Sequence, residues 1–415
     1  MEEKLKTDFD KVIKDLKLSK ENIEVRKKDL NHFIKSGFPN RKKEEWKFFD
    51  LNQIINTNIK NLNFFNNVAL ANLDEKIQYV KNFEHNKIVF INGSIASIDF
   101  SHEEKNKIDV EKDLNLIKKN DKTNNLMSLN NALLSSYIKI TVKENYPLNK
   151  PLLIYNITNK ELNSTMVNLR TDIVLEDNSS IKLVTLSDDL SENNFININQ
   201  NFKIAKNAIL KNYKIDSNNN ENIKYFYSNI DLEHNSLSET FIFSKGSKYI
   251  KNEINCNLNG EYSSSFINGV INLNESKHHE IKTNINHLVE NTKSSQLVKC
   301  VLNDTSKGVY QGKIYVNSKA QKTDGYQLSK ALLLSENTEF DAKPELEIYA
   351  DDVKCSHGST SGNLDENSIF YLMSRGLSYQ QSKKLLINGF LLDVVEKITD
   401  PEIKVFIKEI MEIKE

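Results

Sequence analysis

Apolar residues recur at steps of three or four along the first 37 positions. Leu5, Phe9, Val12 and Leu16 mark one amphipathic helix; after a break at Ser19, Ile23, Leu30, Phe33 and Ile34 mark a second, which runs to Gly37. Pro39 stops it, and the segment FPNRKKEEWKFFDL follows with the single Trp of the chain, Trp46. The stretch beyond mixes both periods. From Tyr137 the texture changes to short runs such as YIKITV, SIKLVTL, SLSETFIF, EIKTNINHL and GVYQGKIYV. These runs are rich in Ile, Val, Thr, Tyr and Phe, they often alternate, and Asn, Ser, Asp or Gly separates them. No helical pattern interrupts them as far as Val353, so they must close into a sandwich, a barrel, a propeller or a β-solenoid. Asn-rich corners favour the solenoid, because Asn tolerates the left-handed conformation that tight corners need. The spacing shows no clean repeat.

The tail returns to helix. Ser378 with Gln381 forms a capping box ahead of Leu385, Leu386, Phe390, Val394 and Val395. Asp400 caps a last helix with Pro401 at its first position and Ile403, Phe406, Ile407 and Ile410 on one side. Such faces either close the end of a solenoid or dock a partner.

Length and charge narrow the picture. The 415 residues suffice for two or three domains, and 56 Lys plus Arg against 57 Asp plus Glu give a net charge of −1. With no basic excess, nucleic acid is not an expected partner. The three cysteines, Cys256, Cys300 and Cys355, make no disulfide framework, and a reducing, cytoplasmic setting is expected. The acidic start MEEKLKTDFDKVIKDL lacks the features of a signal peptide, and no apolar stretch approaches the ~18 residues that span a bilayer. No membrane partner is expected.

Candidate chemistry concentrates in YADDVKCSHGSTSGNLDENSIFYLMSRG, residues 349–376. If this is a strand, Cys355 and His357 project from one face, within reach of one metal or one partner surface. Lys354 or His357 could stabilise a Cys355 thiolate, and Gly358 and Gly362 are expected to turn the backbone before Asp365. Parallel projection suits a ligand or interface role better than a nucleophilic dyad. His278, His279 and His287 form a second cluster, read as hydrogen-bonded polar residues along a solenoid surface, with a turn expected between His279 and His287. Cys256 and Cys300 lie in apolar strand patterns and read as buried. GVYQGKI at Gly308–Ile314 departs from the phosphate-binding loop, and none of the 12 glycines makes a G-x-G pair, so neither nucleotide fingerprint is present.

Several segments together resemble the SufB/SufD family of the Suf iron–sulfur cluster assembly machinery. They are PNRKKEEWKF, SLSETF, the HHE run, His287 with SSQLVK, GVYQGKIYVNSKAQKTDGYQLSKALLLS, ELEIYADDVKCSHGSTSG and FYLMSRG. SufB-like chains carry a cysteine in the stretch corresponding to YQLSKALLL and a His-Glu pair where His357-Gly358 stands. Leu328 and Gly358 occupy those positions here, which places the likeness on the SufD side. The resemblance implies a mainly β fold: a right-handed parallel β-helix core flanked by N- and C-terminal helical regions, divided as 1–130, 131–364 and 365–415. It implies a non-catalytic scaffold subunit that pairs with a SufB-like paralogue through the β-helix and docks a SufC-like ATPase through its C-terminal helices. A homodimer is the expected state in isolation. No cofactor is expected to be tightly bound in the isolated chain. His357, with Cys355 beside it, is implied to face transient iron or the nascent cluster at the interface. The competing readings are a β-solenoid carbohydrate-active enzyme, disfavoured by the missing export signal, and a homodimeric scaffold without metal chemistry.

Overall fold

The computed structural model describes residues 2–66, 79–102, 104–117 and 124–413. Parts of the mixed stretch before residue 130 therefore lie outside the described residues. Helices α1 (Glu2–Asp15) and α2 (Lys20–Ser36) follow the periodicity of the sequence. Ser19 Oγ accepts from the Asn22 N–H, and the Gly37 N–H donates to the Phe33 carbonyl at φ +65°. After α3 (Leu51–Asn58) come the short strands β1 (Asn86–Ile91), β2 (Ser94–Asp99) and β3 (Ile108–Glu111), then α4 (Asn125–Leu133).

The body is a parallel β-solenoid of eight strand pairs. They begin with β4 (Tyr137–Val142) and β5 (Leu152–Thr158), β6 (Met166–Leu175) and β7 (Ser180–Asp189), and β8 (Phe195–Ile204) and β9 (Ile209–Asp216). The middle pairs are β10 (Asn220–Leu232) and β11 (Leu237–Ser244), β12 (Ser247–Leu258) and β13 (Ser264–Leu273), and β14 (His278–His287) and β15 (Lys293–Leu302). The last two are β16 (Lys307–Val316) and β17 (Thr323–Leu333), then β18 (Glu339–Ile348) and β19 (Val353–Gly362). Even-numbered strands from β4 onwards stack in one sheet, ending at β18; odd-numbered strands from β5 stack in the other, ending at β19. At the first end each sheet closes on a short antiparallel strand, β2 against β1 and β3 against β4.

Inward side chains such as Ile173, Phe202, Ile230, Ile254 and Ile281 fill the solenoid. Asparagine makes one corner. Asn145, Asn178, Asn207 and Asn235 all have φ between 54° and 59°. Each of the last three donates its side-chain N–H to the asparagine one turn earlier, at 2.8 Å. The ladder satisfies the corner amides and supplies the residue type that tolerates this conformation. Tyr262 then occupies the corner at φ 62°, without a Cβ-free or Asn side chain to suit it.

Each outer face is covered by helices. Phe9, Phe33, Trp46 and Leu129 from the N-terminal region pack on Phe195, Ile223 and Tyr225 of the even sheet. Lys251 Nζ donates to the Glu45 carbonyl at 3.0 Å, lies 4.6 Å from the Trp46 ring centroid and pairs with the buried Glu280. The tail forms α5 (Glu366–Ser374), α6 (Tyr379–Val395) and α7 (Pro401–Ile410), with the Ser378–Gln381 capping box and the Asp400 cap both present. Leu391, Val394, Ile403, Phe406 and Ile407 are buried against Phe241, Phe243 and Val270 of the odd sheet. At about 1.5–3 kcal/mol for each large apolar side chain removed from water, this packing is part of the fold. Of the two readings of these faces, closing the solenoid or docking a partner, Ile403 and Phe406 take a form of the first: they are packed on the solenoid itself, and the tail covers one flank and leaves the end open.

Candidate functional site

Residues 353–362 form β19, so Cys355 and His357 do share one face. That face points into the solenoid: the half-buried Cys355 packs with Ile314, Val316 and Leu346, and Ser359 Oγ accepts from Ser329 Oγ at 2.9 Å. No strand of the described residues lies beyond β19, so His357 is exposed at the mouth of the interior. In register beneath it lies Gln327, itself in register with Gln296. Gln327 is buried; it donates from Nε2 to the Glu345 carbonyl at 3.1 Å, and its Oε1 accepts from Tyr310 at 3.4 Å. The imidazole therefore stands on a hydrogen-bonded polar floor.

Two sequence expectations fail here. Gly358 and Gly362 do not turn the chain; both belong to β19 and neither has a positive φ. Nor is the Cys355 thiol activated by a neighbouring cation. Partial burial pushes its pKa up, the Gly325 backbone acts against this, and Asp324 adds to it. A thiol held protonated is a poor spontaneous nucleophile but still a soft ligand once a metal displaces the proton.

Beside this strand a groove of about 650 Å³ opens along the odd sheet. Leu297, Tyr326, Leu328 and His357 line it, and Glu239 and Lys397 reach it from distant positions in the chain. Sequence reading missed Gln327 and Lys397, since a buried glutamine in an alternating strand and a lysine at a helix end carry no signal of their own.

The second histidine cluster dissolves. His278–His287 is one unbroken strand without the expected turn, and His279 and His287 both face inward rather than onto the surface. Eight residues of strand hold them about 26 Å apart. His279 Nδ1 meets Ser244 Oγ at 2.8 Å and its Nε2 donates to the Ser247 carbonyl at 2.6 Å. His287 bridges Thr292 and Ser294 at 2.7 and 2.9 Å. Burial lowers both to about 4. His278 instead packs on the Phe49 ring, 4.9 Å away. Among the described residues no three His, Cys, Asp or Glu side chains are grouped as a metal site. Cys256 and Cys300 are buried in the core as expected.

Residues 156–390 match the SUF system FeS cluster assembly, SufBD core domain. The chain belongs to the SufBD family. SufBD relatives extend the match. The iron-sulfur cluster assembly protein SufD of Escherichia coli (strain K12) is 27% identical over 383 residues, 90% of this chain and 89% of its own. SufD of Bacillus subtilis (strain 168) is 37% identical over 86 residues, 21% of this chain and 20% of its own. The chloroplastic protein ABCI7 of Arabidopsis thaliana is 40% identical over 76 residues, 18% of this chain and 16% of its own. SufBD membership and these relatives support a role in iron–sulfur cluster assembly. No helix of the described residues is long and apolar enough to cross a membrane.

Proposed function

We propose that this chain is a non-catalytic scaffold subunit of a Suf-type assembly complex, working in the cytoplasm. It pairs with a SufB-like paralogue through the open end of the solenoid and presents Cys355 and His357 to the cluster being assembled there. The observation that carries the reading is the last turn: β18 and β19 are each ten residues long and end their sheets without a further strand among the described residues. Such edges expose rows of backbone donors and acceptors that a partner's strands can complete. His357, at one of those edges, would sit inside the joint, where a neutral ring nitrogen can ligate iron and Cys355 can supply a soft ligand beside it. The iron and sulfide are cargo.

A SufC-like ATPase would dock on α5 and the first half of α6. Phe370, Tyr371, Met373 and Leu385 there are 75%, 56%, 44% and 51% exposed, although they are large and apolar. This moves the docking surface away from α7.

The test is co-expression with SufB-like and SufC-like partners, followed by quantification of iron and sulfide in the purified complex. His357→Ala should leave the complex assembled and depress cluster acquisition, with Cys355→Ser milder. Normal iron and sulfide uptake by the His357→Ala complex would make the histidine structural.

A further inference from the structure

Polar groups enter the apolar interior of the solenoid at several levels, and most are hydrogen-bonded or ion-paired there; one layer near the middle is left with unmatched polar atoms. On β9, Asn212 and Lys214 point inward and are fully or almost fully buried. In register beside Lys214 is Thr185 of β7, and beside Asn212 is Thr240 of β11. Across the interior, Gln200 of β8 and Ser228 of β10 are in-register neighbours of each other. Lys214 Nζ donates to Ser228 Oγ, and Gln200 Nε2 donates to Thr185 Oγ1 at 3.3 Å, so the two sheets are bridged by polar groups at this level. The remaining capacity is unmatched. Gln200 Oε1, both side-chain polar atoms of Asn212, and Thr240 Oγ1 are buried without a hydrogen-bond partner.

Two lysines in this interior contrast. Lys224 is flanked by Asp189 and Asp216, which form buried ion pairs with it. Lys214 has no ion-paired carboxylate among the described residues, and Asp216, two positions along the same strand, already serves Lys224 and the Ser247 N–H. A buried ammonium without a counter-charge is costly, and orphaned buried polar atoms require a partner. The inventory here is richer in donors than in acceptors. Lys214 retains two N–H groups, Asn212 an amide N–H₂ and Thr240 a hydroxyl, while Thr185 and Ser228 each accept one bond and keep a hydroxyl hydrogen to donate.

We propose that this layer is a binding site for a small monovalent anion of the halide class, held by Lys214, Asn212 and Thr240 between the two sheets of the solenoid. The anion supplies the counter-charge that Lys224 obtains from protein and gives the orphaned donors a common acceptor. Burial lowers Lys214 to about 7, so the ammonium that attracts the anion is present on the acid side of neutrality and is lost on the alkaline side. The charged groups near Lys214 are Asp216, Lys224 and Asp189, already engaged with one another; its other neighbours, Thr185, Ser228 and the Phe226 ring at 5.9 Å, carry no titratable group.

The probe is bromide. Full-length protein is unfolded and refolded at pH 6 in sodium bromide, crystallised, and its anomalous scattering measured at the bromine edge. One internal peak beside Lys214 is expected in the parent and is expected to be absent from Lys214→Met crystals. In solution, bromide should raise the unfolding midpoint of the parent more than that of Lys214→Met, and the difference should shrink at pH 9. Thr240→Val, which keeps shape and removes one donor, serves if Lys214→Met fails to fold; it should weaken the bromide response severalfold. Ordered water only at the layer, or equal bromide responses in parent and variants, overturns the proposal.

Discussion

Leu328 and Gly358 are direct cross-strand neighbours. They pair in register between β17 and β19, and a Cβ on residue 358 would lie 3.2 Å from Leu328 Cδ1. These are the two positions at which the chain departs from the SufB-like pattern, so a difference that looks like two separate changes in sequence is one spot in space. The glycine is explained by contact with the leucine, since β19 makes no turn there.

Coupling between the two positions follows. Gly358→Glu alone should destabilise by about 1–2 kcal/mol, because the new side chain is pressed against Leu328. Leu328→Cys should relieve that contact, so the double variant should be more stable than the sum of the singles by at least ~0.5 kcal/mol. Urea unfolding of the four proteins measures the cycle; strict additivity would mean that the contact is not felt.

The exposed apolar patch and the buried tail should behave oppositely. Phe370→Ser with Tyr371→Ser should leave the thermal midpoint nearly unchanged and weaken binding of a SufC-like ATPase by about 2 kcal/mol or more. Truncation after Ser378 should instead unfold or severely destabilise the chain, because it strips Leu391, Val394, Ile403 and Phe406 from the odd sheet. Far-UV circular dichroism beside a pull-down separates the two outcomes.

Acid should weaken the fold before carboxylates are protonated in bulk. His279 and His287 fall from an ordinary 6.5 to about 4 through burial, so the folded chain keeps them neutral while the unfolded chain charges them. Their contribution is intact above pH 6.5 and is lost as pH falls from 6.5 towards 4, by up to on the order of 3 kcal/mol each. His287→Gln should flatten the decline of unfolding free energy between pH 6.5 and 4.5. An unchanged slope would show that the imidazole is solvated.

Much of this architecture was legible in the chain. Ser19, Gly37, the Ser378–Gln381 box and Asp400–Pro401 mark helix ends because capping is local chemistry, readable within four residues. The strands were legible too, through alternation. Their repeat was not, since the step between stacked residues varies from 26 (Tyr225 to Lys251) to 33 (Tyr137 to Arg170) as corners lengthen and shorten. Inward polar residues such as Gln200 and Lys214 also break the apolar phase. At the site, the shared face of Cys355 and His357 followed from period two alone. Whether that face looked inward depended on Ile314 and Leu346, which only the solenoid brings near.

Tyr262 offers a gain in stability. It takes the corner conformation that asparagine adopts in four earlier turns, and its largely exposed ring meets His234 edge-on, 5.7 Å away. Tyr262→Asn should remove the left-handed strain and can extend the ladder from Asn235, raising stability by about 1 kcal/mol. A lowered midpoint in calorimetry would show that the tyrosine ring matters more than its backbone.

The two ends of the solenoid differ in kind, and this bears on what the molecule can build. At one end β2 and β3 are six and four residues long, run antiparallel to their neighbours, and β1 carries an irregularity opposite β2. Such edges make poor templates. At the other, two full-length parallel strands stand uncapped. A chain with a single competent end can be joined there once, and among the described residues only the short antiparallel edges then remain. Association through these edges should therefore stop at a pair, so that a protein whose body is a stack of strands is kept from growing into a fibre.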